Sequence, residues 1–596
     1  MMSEQEKPDE LIQAEKLVDE GKFEEALSLL KEFEEKRGVS LHNIVLSHLI
    51  KCDLLHQYGL NDEALKLAEQ TYKESLELGK NYLSIDALIF KAESLIQLSK
   101  YDDALEVNKQ GEELLKEFTE ILTSDYKRRE ASILFIKGKA GFFKSEGDKA
   151  IEYVEQSLGL REKFSPKKEI AVTLSSLAWG LVMFKGDLKR AFKCAERGLA
   201  FAKESNNKYE LGISFLTFGL LYSVKGDLDR SKLFYENSLT IYKQLYNKRM
   251  MATTLNNLID LYTKAGDLDR ALECSKQCLE LRYEVGNLRE IATVQDLLIQ
   301  LLIEKGDLEQ AQQVLNDLEQ LNNQLKDKQV NVWYLFSKAL LLKTNPRARN
   351  RVKAEEIFKY ILEEEDFNLQ FTVGALLNLC ELLLIELRTI GGIEVLGEIE
   401  TYVKQLLDIA EKSQSYWILC ETHLLQAKLS LLTFDIKKAQ RFLTQAQQIA
   451  ERFNLSHLAN KITMEKEDLL SKLDLWDKMK EVGSSMADRF ELARLDEQIS
   501  GMVRNRAVLT AQITEDEVTI HTEKKICLVC RSEVLRFSYI CECGAIYCEN
   551  CARAVIDLEN VCWVCDVPID YSKPVKQFKE EEEIVKVEKN LKRKGV

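Results

Sequence analysis

Proline is scarce in this chain of 596 residues: there are five, and only Pro166 and Pro346 fall between Pro8 and Pro568. So few helix breakers suit long helices and argue against a turn-rich all-β fold. Histidine is nearly as rare, at six, and no histidine has catalytic company. No Walker loop, dinucleotide fingerprint, HExxH or nucleophile elbow occurs, which removes the chemistries those motifs carry. Positive charge is also in deficit: 83 Lys and Arg stand against 98 Asp and Glu, a net charge of −15. A nucleic-acid or anionic-membrane footprint would be basic, so neither partner is expected. Charged residues break every apolar run well before the ~18 residues of a membrane span. The opening Met1-Met2-Ser3-Glu4-Gln5-Glu6-Lys7-Pro8 has no apolar core of a signal peptide, so a cytoplasmic protein is expected.

What is present is a ruler. Gly-Asp-Leu recurs at Gly186-Asp187-Leu188, Gly226-Asp227-Leu228, Gly266-Asp267-Leu268 and Gly306-Asp307-Leu308, each copy forty residues after the last. A second mark keeps the same step at Asn207, Asn247, Asn287 and Asp327. Two marks per forty residues predict two long helices and two tight turns per unit, stacked as a solenoid. The glycine closes one helix in the left-handed conformation, and the Asp after it caps the next. Small residues follow at Ala191, Ser231, Ala271 and Ala311, then at Gly198, Ser238 and Cys278, where two helices can approach closely.

Tyr222, Gly226, Ser231 and Ser238, and likewise Tyr262, Gly266, Ala271 and Cys278, give a spacing that resembles the tetratricopeptide repeat (TPR). The forty-residue step is longer than the usual 34 and is similar to the variety in kinesin light chains and signalling adaptors. The resemblance is strong over 170–330 and weaker on both sides. It implies an all-α superhelix of about eleven hairpins over residues 8–470, whose first helices line a concave face for a protein or peptide ligand. Turns are expected at Gly21, Gly59, Ser99-Lys100, Gly147-Asp148, Gly391-Gly392 and Phe434-Asp435. Asn256, Asn257, Asp260 and Lys264 are candidates to face the groove, against the plainer reading of a solvated helix face.

Residues 471–520 read as a helical linker. Met479, Val482 and Met486, then Leu492, Leu495, Ile499 and Met502, form a seam. It either pairs two chains as a short coiled coil, giving a dimer through 479–502, or folds back on the solenoid. Gly483 and Gly501 inside it favour the second. Glu517-Val518-Thr519-Ile520 has strand character. The tail, 572–596, is a charged extension with Glu580-Glu581-Glu582-Glu583 and Leu591-Lys592-Arg593-Lys594.

Eight of the fourteen cysteines crowd into the last seventy residues as four close pairs: Cys527 and Cys530, Cys541 and Cys543, Cys548 and Cys551, Cys562 and Cys565. The other six (Cys52, Cys194, Cys274, Cys278, Cys380, Cys420) sit singly and read as packing. Eight thiols in thirty-nine residues match two tetrahedral sites, and two structural Zn²⁺ ions with four thiolates each are expected. So short a segment has too little apolar surface for a core, and metal supplies its folding energy. His521 is not needed as a ligand.

The order C-x2-C-x10-C-x-C-x4-C-x2-C-x10-C-x2-C looks like a RING finger, with Gly544 and Tyr547 in keeping. That resemblance implies a cross-brace over residues 521–571: Cys527, Cys530, Cys548 and Cys551 at one zinc, and Cys541, Cys543, Cys562 and Cys565 at the other. Two sequential ribbons are the alternative. A RING also implies recruitment of a ubiquitin-conjugating enzyme, with Leu528 at the apolar contact position. Val555 stands where an aromatic is common, Trp563 where proline is frequent, and Asp566 where active ligases carry Arg or Lys. The function expected is therefore a non-catalytic scaffold or adaptor with a zinc module as second interaction site. The alternative is a RING-type ubiquitin ligase with the solenoid as substrate receptor.

Overall fold

Asp187, Asp227, Asp267 and Asp307 each open a helix by accepting a hydrogen bond from the backbone N–H three residues on. Asn207, Asn247, Asn287 and Asp327 do the same for the helices between them. Both marks of the ruler are thus helix starts, and each satisfies one orphan donor of the first turn. The stops are equally local: Gly226 and Gly306 end their helices at φ of 84°, a left-handed conformation that costs glycine little. This computed structural model describes residues 7–504 except 80, 118–122, 145, 186, 364–368, 391–392, 413–414 and 453–454. It also describes 527–568 except 531–533, 535–537, 542 and 544. Gly186, Gly391-Gly392, His521, Gly544, the 517–520 segment and the 572–596 tail lie outside the described residues.

Twenty-two helices from Asp9–Asp19 to Ile436–Arg452 make eleven consecutive hairpins, the all-α solenoid expected. Within each pair the small residues do the close work. Ala191, Ser231, Ala271 and Ala311 are fully buried. Ser157, Ser238 and Cys278 each donate to a carbonyl twenty-six residues earlier, on the facing helix: Ala131 (2.6 Å), Gly212 (2.9 Å) and Ala252 (3.2 Å). A larger side chain there would lose that bond and push the helices apart. Tyr222 fills the adjoining space by stacking on Phe234, ring centroids 5.5 Å apart.

Two compact units result. The first, residues 1–367, holds nine hairpins, from Asp9–Asp19 with Phe23–Glu34 to Lys328–Thr344 with Ala348–Glu363. The second begins at 368 with hairpins Leu369–Ile390 with Ile393–Lys412 and Tyr416–Leu432 with Ile436–Arg452. Helices Met486–Ala493 and Leu495–Arg504 fold back on Leu369–Ile390 and Tyr416–Leu432. Leu495, Ile499 and Met502 of the seam are at most 1% exposed, buried within the chain, and Gln498 donates to Glu421 at 2.7 Å. No helix among the described residues is long and apolar enough to cross a membrane.

The cysteine module belongs to the second unit. Strands Ser538–Ile540 and Ile546–Cys548 pair antiparallel, with Tyr539 opposite Tyr547, and helix Glu549–Leu558 follows directly.

Candidate metal centre and the charged interior

The strand pair and the helix after it bring the first and third cysteine pairs together, and the second with the fourth. Cys527, Cys530, Cys548 and Cys551 form one group, and Cys541, Cys543, Cys562 and Cys565 the other, all sulfurs of a group within 4.8 Å of one another. The gap Cys530–Cys548 is 3.8 Å, Cys541–Cys565 is 3.4 Å and Cys543–Cys562 is 3.6 Å. A disulfide needs about 2.05 Å. A tetrahedron of four sulfurs at about 2.3 Å from a central ion has edges of about 3.8 Å, so the spacing suits a metal ion held by four thiolates.

The groups differ in surroundings. The first is buried throughout; in the second Cys543 is exposed and Cys541 and Cys565 are half-buried. Its buried member, Cys562, has the Tyr547 hydroxyl 3.1 Å from sulfur, and that same hydroxyl accepts the N–H of Trp563 at 3.0 Å. The backbone N–H of Cys548 points at the Cys527 sulfur at 3.2 Å. Helix Ile436–Arg452 supplies groups from outside the module. The Arg452 guanidinium reaches Cys530 at 3.8 Å, and the Gln448 amide lies 3.7 Å from Cys551. Arg441 of the same helix grips Glu559 with two nitrogens, at 2.5 and 3.2 Å, and Asp566 at 3.0 Å. Beside this clasp lies a cleft of about 660 Å³, lined among others by Lys438, Arg441, Phe442, Val561 and Trp563.

Leu528 is half-buried, its N–H bonded to the Ile546 carbonyl at 2.7 Å. Of the groove candidates, Asn256 and Asn257 are half-buried on helix Lys248–Lys264. Lys264 bonds Asp260 at 2.6 Å and Ser223 at 3.2 Å, so those two charges already answer each other.

Sequence reasoning passed over a second constellation, in the first unit. Asp53 and His56, Lys139, Glu210 and Arg249 come from four different helices. Burial is the largest influence on each of them. It pushes the Glu210 carboxyl up to about 8, with the Asp53 charge adding to the effect, and it pushes the His56 imidazolium and the Lys139 ammonium down. A signal was available: the first turns after the ruler's second mark carry Tyr209-Glu210, Arg249 and Arg289-Glu290, ionisable or polar groups at the forty-residue step.

A family model described as PPR repeat matches residues 253–274. No curated protein matches. Among solved structures, the apo form of the quorum sensor NprR from B. thuringiensis is similar at 13% identity and a TM-score of 0.44, over 62% of this chain and 99% of that one. A Rap protein complexed with Competence and Sporulation Factor is similar at 15% identity and 0.38, over 58% and 98%. Kinesin light chain TPR-like repeats of Podospora anserina are similar at 14% and 0.28, over 34% and 98%. The chain is a helical-repeat solenoid, similar to TPR-like repeats, carrying two four-cysteine groups that could each hold a metal ion.

Proposed function

We propose that the chain is a non-catalytic interaction scaffold. The solenoid takes a partner protein or peptide, with Asn256 and Asn257 among its contacts. Two Zn²⁺ ions, one in each four-thiolate group, fold the C-terminal module into a second interaction site beside the 660 Å³ cleft. Zinc fits a closed all-sulfur tetrahedron, and its role there is to hold the fold. Reduced thiolates of this kind suit the cytoplasm.

The clasp between Arg441 and the module carries the reading. Val555 is fully buried, and Glu559 and Asp566 are held by the chain's own helix. By the resemblance to a RING, Asp566, like Leu528 and Trp563, stands at a position that bears on recruitment of a conjugating enzyme. Engagement by helix Ile436–Arg452 favours a module used as part of the scaffold over a free recruiter. The test is a pull-down with the metal-loaded full chain, alongside a ubiquitin-transfer assay with a cognate cascade. The scaffold reading expects a partner whose capture falls on Asn256→Ala with Asn257→Ala, and no transfer. Transfer that disappears on Leu528→Ala while metal content stays constant would establish the ligase instead.

A further inference from the structure

The cysteine module and the last hairpin share one open cleft. Helix Ile436–Arg452 gives it Lys437, Lys438, Arg441 and Phe442, and the module gives it Val561 and Trp563. All of them lie in the second compact unit. Its volume of about 660 Å³ is that of a ligand site rather than of a few waters.

The charges of this cleft are unequally committed. Arg441 answers both Glu559 and Asp566. The Asp435 carboxylate caps the helix, accepting the Lys438 backbone N–H at 3.0 Å. Each of these acids is therefore engaged by the chain's own groups. Lys437 and Lys438 are exposed, and neither ammonium makes an ion pair among the described residues. The Lys438 ammonium stands 6.0 Å from the centre of the Phe442 ring, so uncommitted positive charge adjoins an apolar wall. Phe442 and Trp563, both half-buried, make up most of that wall.

Acid next to a bulky apolar side chain would complete such a cleft, and that pairing occurs where the chain continues. The described residues end at Pro568, two after Asp566 on the cleft wall. Ten residues further comes Phe578, followed by Lys579, Glu580-Glu581-Glu582-Glu583 and Ile584-Val585. Ten extended residues span up to about 35 Å, so the run can return to the cleft.

We propose that the cleft is the docking site of the chain's own segment 578–585. Its four glutamates meet Lys437 and Lys438, and Phe578 lies against Phe442 and Trp563. Tethering decides between this occupant and an acidic peptide of another protein. A short tether holds its end at an effective concentration of about 1 mM, which a separate peptide at micromolar levels matches only by far tighter binding. The inference rests on the metal-folded module of the scaffold reading, because Val561 and Trp563 flank the sulfur ligand Cys562. It makes no use of Asn256 or Asn257, so a failed pull-down leaves it standing.

The test is carbodiimide cross-linking and hydrogen exchange of the metal-loaded full chain, with metal content measured alongside. Cross-links from Lys437 or Lys438 to the glutamates at 580–583 are expected. A mixture of isotope-labelled and unlabelled chains should give none between copies. Residues 578–585 are expected to exchange about tenfold more slowly than in the free synthetic peptide, as an affinity of about 0.1 mM gives at about 1 mM. Lys437→Glu with Lys438→Glu should abolish that protection at unchanged metal content. Adding Glu580→Lys, Glu581→Lys, Glu582→Lys and Glu583→Lys to that variant should restore it. Cross-links only between copies, protection indifferent to the lysine pair, or a metal-loaded chain with no protection over 578–585 would each overturn this proposal alone. A chain that takes up no metal would overturn the scaffold reading of the module along with it.

Discussion

Between Lys208 and Leu325 every hairpin has buried small residues, capped starts and a left-handed residue at each stop, repeated with little change. Among the described residues between Cys527 and Pro568 there are two three-residue strands and one ten-residue helix. In the first region stability is spread over many contacts, none indispensable, and each hairpin leans on its neighbours. In the second it is concentrated in eight sulfur atoms. The difference teaches where each region breaks: the solenoid should yield by degrees to substitution, the module all at once to loss of metal.

The largest effect expected is therefore chelation. Structural zinc contributes about 10–16 kcal/mol to small domains of this kind. Hydrogen exchange of the full chain in a strong chelator should show collapse of protection over 527–568 and little change over 208–344. Protection that survives in the module would end the contrast. Next comes a pair of glycines inside helices. A Cβ on Gly219 would stand 2.4 Å from the Tyr235 ring, whereas one on Gly159 meets nothing within 4 Å. Alanine gains up to about 1 kcal/mol of helix propensity at either position. At Gly219 overpacking, about 1–3 kcal/mol, should win. Gly219→Ala is thus expected to lower Tm and Gly159→Ala to raise it slightly.

The module's own asymmetry offers a finer cut. Arg452 lies beside Cys530 of the buried sulfur group and has no counterpart from that helix at Cys541, Cys543, Cys562 or Cys565 in the bonds described above. Groups that hydrogen-bond to metal ligands typically matter tenfold or more in affinity. Arg452→Ala should hasten metal loss from the first group roughly tenfold, followed with a chromogenic chelator, and leave the second group's rate alone. Smallest is the single cap: Asp227→Ala should cost about 1 kcal/mol in chemical denaturation. A loss several times larger would mean that the hairpins fall together rather than by degrees.

These regions also differ in how far they could be read from the letters. Asp227 as a helix start and Gly226 as a stop are decided by bonds within five residues, so a forty-residue ruler sufficed to give eleven hairpins. The cysteine spacing pointed to two four-sulfur groups because chelation through a two-residue gap is also local. The interior was opaque. Asp19 and Lys168 are 149 residues apart, and Arg441 and Glu559 are 118 apart. Each looks like one more charge on a wet helix face until the superhelix curls. The Asp260–Lys264 pair, four residues apart on one helix, is local by contrast.

The buried bond from Asn247 to the Gln57 carbonyl spans 190 residues. A ribosome adding about 5–20 residues per second needs roughly 10–40 s to supply the donor after its acceptor has been made. The contacts of Lys168 and Asn207 with Asp19 and Asp53 become available earlier, so the order of synthesis sets the order in which these long-range bonds can form.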